Sequence, residues 1–428
     1  MTSIYENEKT EKKPSSDILV GQLAGTTIGP GLVVLPGQGN SLAIETDAGF
    51  VVLDSSAPRH ADAMIATLRE HTDSPVHAIV YSHGHHGYNA AIDVWQRHNE
   101  ERGDPAPRLV GHENILKRHA RYRETEGLQM RMASVQFPAK RPIPVDVLAT
   151  GMPLFDPTET FQDTMLLVDG SRRVELIWAP SEVHDALAVW LPDDGLLCGG
   201  AATPGFTIPN IGTPLRTQRF TVRWADTLDR FAQLNPTRLL TEFGPLLEGE
   251  AITTMLSATA EALHWVRDEV VLRMNAGMGE HEILADIRFP DELFDRPWML
   301  PLYGAPEYIV RDVYREENGW WDRNPTTLHP AAPADAAAAV LSAVADPQHV
   351  LTRARELGDA GDVQLALHVI DLLALDRSDN PAVVEARTLK AELCRTRAKE
   401  VKPFVSKSCY RSSAWLLDEG EVSWTALP

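Results

Sequence analysis

Cysteine is scarce in this chain, and that excludes two ways of holding a fold together. The three residues Cys198, Cys394 and Cys409 are odd in number and widely spaced, so neither a disulfide framework nor a structural zinc ribbon is expected. Long apolar runs are absent as well. No stretch is apolar enough to span a bilayer, and the opening residues Met1 to Lys9 lack the apolar core of a signal peptide. Basic residues are in deficit, 40 Lys and Arg against 60 Asp and Glu, for a formal net charge of −20. That balance removes the basic face with which proteins track nucleic-acid phosphates. These absences place the chain in a reducing, cytoplasmic setting with neither nucleic acid nor membrane as a partner. What remains is a chain of 428 residues, 43% hydrophobic, long enough for two or three domains with buried cores.

Apolar patterning divides the chain near residue 250. Before it, short strand-like runs alternate with helical ones. Leu42-Ala43-Ile44 and Phe50 to Leu53 flank the turn residues Thr46-Asp47-Ala48-Gly49 and predict a hairpin. A helix over about 61–71, a strand over 77–81 and a further strand at 108–111 follow. Strands are predicted at 165–168, 174–178, 186–191, 196–198 and 238–241, with a helix over about 221–234. Strands covered by helices indicate a layered α/β domain. After Glu250 the runs become helical. The stretch from Ala332 to Lys399 breaks at Asp346-Pro347, at Gly358 to Gly361 and at Asp379-Asn380-Pro381, a pattern of helical hairpins similar to tetratricopeptide pairs.

The chemistry concentrates in Tyr81-Ser82-His83-Gly84-His85-His86-Gly87-Tyr88-Asn89. Three imidazoles lie within four residues at the end of the apolar run Ala78-Ile79-Val80. A loop turning off a strand can aim several ring nitrogens at one point, which is how a metal site is built. His83 and His85 are the candidate ligands, and His86 is a candidate general base. A third ligand is expected from Ala179-Pro180-Ser181-Glu182-Val183-His184-Asp185, where Glu182 is either a ligand or a surface acid, since a buried carboxylate needs a partner. Glu242, in Thr241-Glu242-Phe243-Gly244-Pro245, reads as a ligand, a base or a solvated loop carboxylate. Asp54 ends a strand beside the expected site and can orient a ligand through a hydrogen bond.

Together these loops resemble the metallo-β-lactamase fold, and within it the alkyl sulfatase branch. The resemblance is carried by Gly39-Asn40, Leu53-Asp54, Tyr81 to His85, Gly111-His112-Glu113-Asn114 and Ala179 to His184. It continues through Gly319-Trp320-Trp321-Asp322-Arg323-Asn324-Pro325, Leu328-His329-Pro330 and Asp379-Asn380-Pro381-Ala382. It implies an αββα sandwich over 17–249 and an α-helical, tetratricopeptide-like dimerisation domain over 250–417, between a flexible N-terminus (1–16) and a tail (418–428). A homodimer follows from it. The family pattern His-x-His-x-Asp-His is broken here, with Gly87 and Tyr88 at the last two positions and no acid within Leu197 to Ala201. By carry-over one metal site survives, formed by His83, His85 and Glu182, and Tyr88 places a phenol where a second-site imidazole would sit. Asn210 and Arg216 fall where the sulfatases hold sulfate, and an arginine suits an oxyanion.

The expected function is therefore that of a metal-dependent hydrolase with one divalent metal, acting on a small anionic ester, with Glu242, His86 or Tyr88 moving the proton. Zinc would activate water for such a reaction. Iron on two histidines and one carboxylate would instead suit an oxygenase or lyase. A scaffold without catalysis is the third reading of the same fold.

Overall fold

The structure is a computed structural model, and it describes residues 20–137, 144 and 152–426. The flexible N-terminus expected over 1–16, and the last two residues of the expected tail, lie outside the described residues. Two sheets form the centre. The first has seven strands in chain order: β1 (Thr27–Gly29), β2 (Leu32–Leu35), β3 (Ser41–Thr46), β4 (Gly49–Leu53), β5 (Val76–Val80), β6 (Arg108–His112) and β7 (Glu159–Phe161). The second has six, β8 (Thr164–Val168), β9 (Val174–Trp178), β10 (Leu187–Leu191), β11 (Leu196–Gly200), β12 (Arg238–Thr241) and β13 (Leu246–Glu248), also adjacent in chain order. Pairing is antiparallel except from β4 through β7 and between β11 and β12.

Strand alternation explains the layering. Leu32, Val34, Leu42, Ile44, Val51 and Leu53 point to a core shared with Val174, Leu176, Leu187, Val189 and Leu196 of the other sheet. Their neighbours Val33, Leu35, Ala43 and Val52 point the other way, onto Ala61, Met64, Leu68, Ile92 and Trp95 of two helices. In the second sheet Ala188, Leu197, Leu239 and Leu247 face Trp224, Leu228, Phe231, Leu256 and Leu263. Both faces of each sheet are buried, so these strands read as continuous apolar runs, and the result is the expected αββα sandwich.

The described residues form two compact units, one of 20–126 with 152–317 and one of 127–137 and 144 with 318–426. The boundary expected near residue 250 falls inside the first unit. The helix Glu250–Asn275 lays Ile252, Leu256, Leu263 and Val270 on the same core as the second sheet, and Ile309, Val310 and Val313 of the helix Pro306–Asn318 join it. These segments are helical, as expected, but their apolar stripes complete the sandwich. The second unit contains the helices Pro347–Asp359, Val363–Ala374, Pro381–Glu400 and Phe404–Asp418, packed on one core. Asp346 and Asn380 cap helices that open on Pro347 and Pro381, which is why the chain breaks at those dipeptides. Trp320 is 70% exposed and so is no part of a core within this chain. No helix among the described residues is long and apolar enough to cross a membrane.

One close approach ties the helix Pro306–Asn318 to the loop carrying Asn210 and Arg216. Gly212 has φ 68°, and a Cβ on it would run into the Tyr308 carbonyl. Gly212→Ala is expected to cost about 2–4 kcal/mol through the left-handed backbone and the overpacked contact, measured as a lowered midpoint in denaturant unfolding.

Candidate metal and anion site

The parallel strands β4, β5 and β6 end on one edge, so the loops leaving them meet there, as ligand loops do at the carboxyl ends of α/β strands. β4 runs into Asp54, whose backbone takes φ 62°. Its Oδ1 accepts hydrogen bonds from the Ser82 amide at 2.8 Å and Asn89 Nδ2 at 2.7 Å, so both ends of the histidine loop are pinned to one carboxyl group. Burial outweighs those bonds and pushes the Asp54 pKa up to about 7. The loop is tied to the second sheet by the bond from the Leu187 amide to the Ser82 carbonyl.

His83 is fully buried, and its Nδ1 lies 2.9 Å from Ser82 Oγ. With Nδ1 engaged there, Nε2 is left to face His85 Nδ1, also at 2.9 Å. Burial, together with the charges of Arg118 and Arg219, pushes the His83 pKa down to about 3, and His85 is lowered by the same causes. Both rings are therefore neutral near pH 7, the form that binds a metal. At 2.9 Å these two nitrogens are hydrogen-bonded, so one ring carries the proton and donates to the other, and the Ser82 contact is the kind of outer support that would fix a ligand ring.

Tyr88 stacks obliquely on His83, ring centroids 4.1 Å apart, and its hydroxyl donates to Glu242 Oε1 at 2.6 Å. Glu242 is buried, and burial followed by repulsion from Glu182 raises its pKa to about 8. The pair lines a small cavity with Asp54, Ser82, Cys198 and Gly200. Asn40 fixes this wall, donating from Nδ2 to the carbonyls of Thr241 and Gly244 and from its amide to that of Glu242.

Glu182 Oε1 accepts from Asn210 Nδ2 at 2.7 Å and pairs with Arg219 Nη2 at 3.0 Å. Arg219 is 6% exposed, its amide donates to Asp312 Oδ2, and its guanidinium also donates to the Asn210 carbonyl. Breaking a pair this buried would strand one charge at a cost of about 3–5 kcal/mol. Arg216 bonds the Tyr303 hydroxyl nearby. On the other side, Arg118 pairs with the buried Asp185, and its Cδ would lie 3.0 Å from a Cβ on Gly84. Glycine between the two histidines is what lets that arginine come close.

The structure thus brings together His83 and His85, sets Tyr88 and Glu242 beside them, and draws Asn210 to Glu182. It leaves His86 stacked on Tyr122 with ring centroids 4.3 Å apart, its pKa lowered to about 4 chiefly by burial, and hydrogen-bonded to neither His83 nor His85. Among the described residues no three His, Cys, Asp or Glu side chains are grouped as a complete metal shell. His83 and His85 are hydrogen-bonded to each other, and Glu182 stands with one oxygen taken by Asn210 and Arg219. Sequence reasoning missed Arg219, Arg118, Asp185, Ser82 and Tyr303. Of these only Arg219 carried a signal, as a second arginine three residues beyond Arg216.

Residues 34–241 match the metallo-β-lactamase superfamily, and residues 279–420 match the alkyl sulfatase dimerisation family. The chain is 26% identical over 404 residues to a linear primary-alkylsulfatase of Pseudomonas sp. (strain ATCC 19151), covering 89% of this chain and 75% of that one. It is 25% identical over 408 residues to an (R)-specific secondary-alkylsulfatase of Pseudomonas sp., covering 89% of this chain and 60% of the relative. A solved structure of a stereoselective inverting sec-alkylsulfatase from Pseudomonas sp. superposes with a TM-score of 0.77 at 21% identity, over 92% of this chain and 65% of that one. At that identity the superposition speaks to fold alone. The chain spans roughly two thirds of the length of that structure.

The raised Glu242 pKa gives a test in metal-free protein. A buried carboxyl is tolerated when protonated, so the folded state keeps that benefit below the unfolded pKa of 4.5 and loses it as pH rises through about 8. Glu242→Gln keeps an acceptor for Tyr88 and carries no charge. The variant is expected to gain stability relative to the parent as pH rises from 5 to 8, read as a widening difference in thermal midpoint.

Proposed function

We propose that this chain, which joins a metallo-β-lactamase superfamily domain to an alkyl sulfatase dimerisation domain, is a metal-dependent hydrolase of sulfate esters of alcohols. The observation that carries the reading is the contact of the neutral His83 and His85 rings at 2.9 Å, where a cation in place of the shared proton would be held, with Arg216 and Arg219 as guanidinium groups of the kind that suit a sulfate. His83 and His85 would hold one divalent metal, with the second oxygen of Glu182 as third ligand. A cation there supplies Lewis-acid activation of water, and zinc is the metal we favour.

The chain's own residues account for the rest. Ser82 and Asp54 keep the imidazoles oriented. Asn210 and Arg219 hold Glu182 in one rotamer, which a ligand carboxylate needs. Arg216, which hydrogen-bonds the Tyr303 hydroxyl, would take the sulfate oxygens. The Tyr88 hydroxyl donates to the carboxyl of Glu242 at 2.6 Å, and that carboxyl would move a proton beside His83. The dimerisation segment supports a homodimer, and the three free cysteines suit a reducing cytoplasm.

Elemental analysis of protein purified without added metal is expected to find about one metal per chain, lost in a His83→Ala/His85→Ala variant. Iron in place of zinc would redirect the reading toward oxygen chemistry, and no metal would count against hydrolysis. With alkyl sulfates as substrates, Arg216→Ala is expected to lower kcat/KM by about 10–100-fold, the loss of one charge-assisted contact, measured by sulfate release.

A further inference from the structure

From residue 318 to residue 349 the chain has regular structure, yet none of these residues is buried. Its turns are closed locally: Asn318 Nδ2 donates to the Trp321 carbonyl, the Trp321 indole donates to that of Asn324, and Asn324 caps the helix Pro325–Leu328. The helix Pro333–Ala343 follows, with Asp335 as its one charged residue. Leu341 anchors it, half-buried, on the core of its own unit. The outward side chains of this arm are apolar all the same, with Trp320 70% exposed, Val340 44% and Leu328 40%. A helix of three turns is marginal in water by itself and is held by packing an apolar face. A second surface is therefore needed to cover the arm.

A matching surface stands on the helix Val363–Ala374 and the residue after it. Leu365, Leu372 and Leu375 are 53%, 43% and 45% exposed. With the exposed His368 they are spaced three, four and three residues apart, which puts them in one seam along the helix. The opposite face of the same helix holds Ala366, Ile370 and Leu373 in the core, so the seam is apolar surface left over once the unit has packed. Arm and seam both fall within residues 279–420, the part that matches the alkyl sulfatase dimerisation family.

We propose that two copies of this chain exchange these elements, the arm 318–346 of each copy lying across the leucine seam of the other. Each copy offers one arm and one seam, so a two-fold axis closes the contact and leaves neither element over. Seam against seam would leave both arms bare. Arm on seam covers the exposed apolar side chains of both.

The inference rests on the homodimer named above, and on neither the metal nor the hydrolysis. The full-length protein is studied by sedimentation equilibrium over a range of concentrations, with circular dichroism as the check that each variant is folded. The parent is expected to be a dimer. Val340→Lys and Leu372→Glu change exposed side chains, and each is expected to weaken the dimer about 100-fold, because a two-fold interface takes up every substitution twice. Mixed in equal amounts, the two variants are expected to recover a dimer, since the mixed pair keeps one native contact of arm on seam and sets a lysine against a glutamate in the other. Leu365→Glu serves in place of Leu372→Glu if the latter does not fold. Leu272→Glu, at an exposed position outside 279–420, is expected to leave the dimer as it is. A Val340→Lys protein as dimeric as the parent, or a mixture no more dimeric than its components, would overturn the exchange and leave the homodimer standing. A parent that is monomeric throughout would overturn both.

Discussion

The candidate site depends on one buried carboxyl group. Asp54 leaves β4 in a left-handed conformation and accepts from the Ser82 amide and from Asn89 Nδ2. Asn89 in turn accepts from the Ser55 amide, and the Ser55 carbonyl takes the indole of Trp95. Strand, histidine loop and following helix are thus closed into one bonded ring. The strained backbone costs about 1–3 kcal/mol, and each buried amide donor that Asp54 satisfies would cost about as much if left unpaired. The bonds therefore outweigh the strain. Asp54 thereby bonds both ends of the loop that carries His83 and His85.

The charge arrangement follows from what surrounds that loop. A neutral imidazole pair, lowered in pKa mainly by burial, sits between Arg118 on one flank and Arg219 on the other. Glu182 and Asp185 answer these two arginines, each in a contact closed to water on at least one side. The helix Thr221–Gln233 underpins the arrangement from below, with Thr227 Oγ1 on the Pro180 carbonyl and Trp224 Nε1 on that of Ala202. A change in the packing of that helix would reach both the Glu182 loop and the end of β11.

Most of the sandwich was legible in the sequence because its signals are local. The strands at 174–178 and 238–241 and the helix from 221 follow from apolar period alone, and the hairpin follows from Thr46 to Gly49. The domain boundary was not legible, since a helix that completes a sheet's outer layer and one that starts a new domain carry the same stripe. Only tertiary packing of Leu256 and Val313 tells them apart. The histidine loop was legible for the same reason as the strands, in that its two facing imidazoles are two residues apart. Arg118, Asp185 and Tyr303 were not. They reach the site from a helix and two loops that sequence spacing does not connect.

Tyr88 bears on how charge is arranged beside His83. Tyr88 and Glu242 satisfy each other across 2.6 Å, with burial raising the pKa of both, so near neutral pH this wall of the site is a neutral, proton-sharing pair. Such a pair offers a second cation no net negative charge. A sulfate ester would still need positive charge facing its oxygens, and water-excluded donors fixed in advance are the most effective source of it. Arg219 is immobilised by Asp312 and Asn210, and its guanidinium is paired with Glu182. Glu182 is thus matched by a protein cation, while the Tyr88–Glu242 wall is neutral near pH 7.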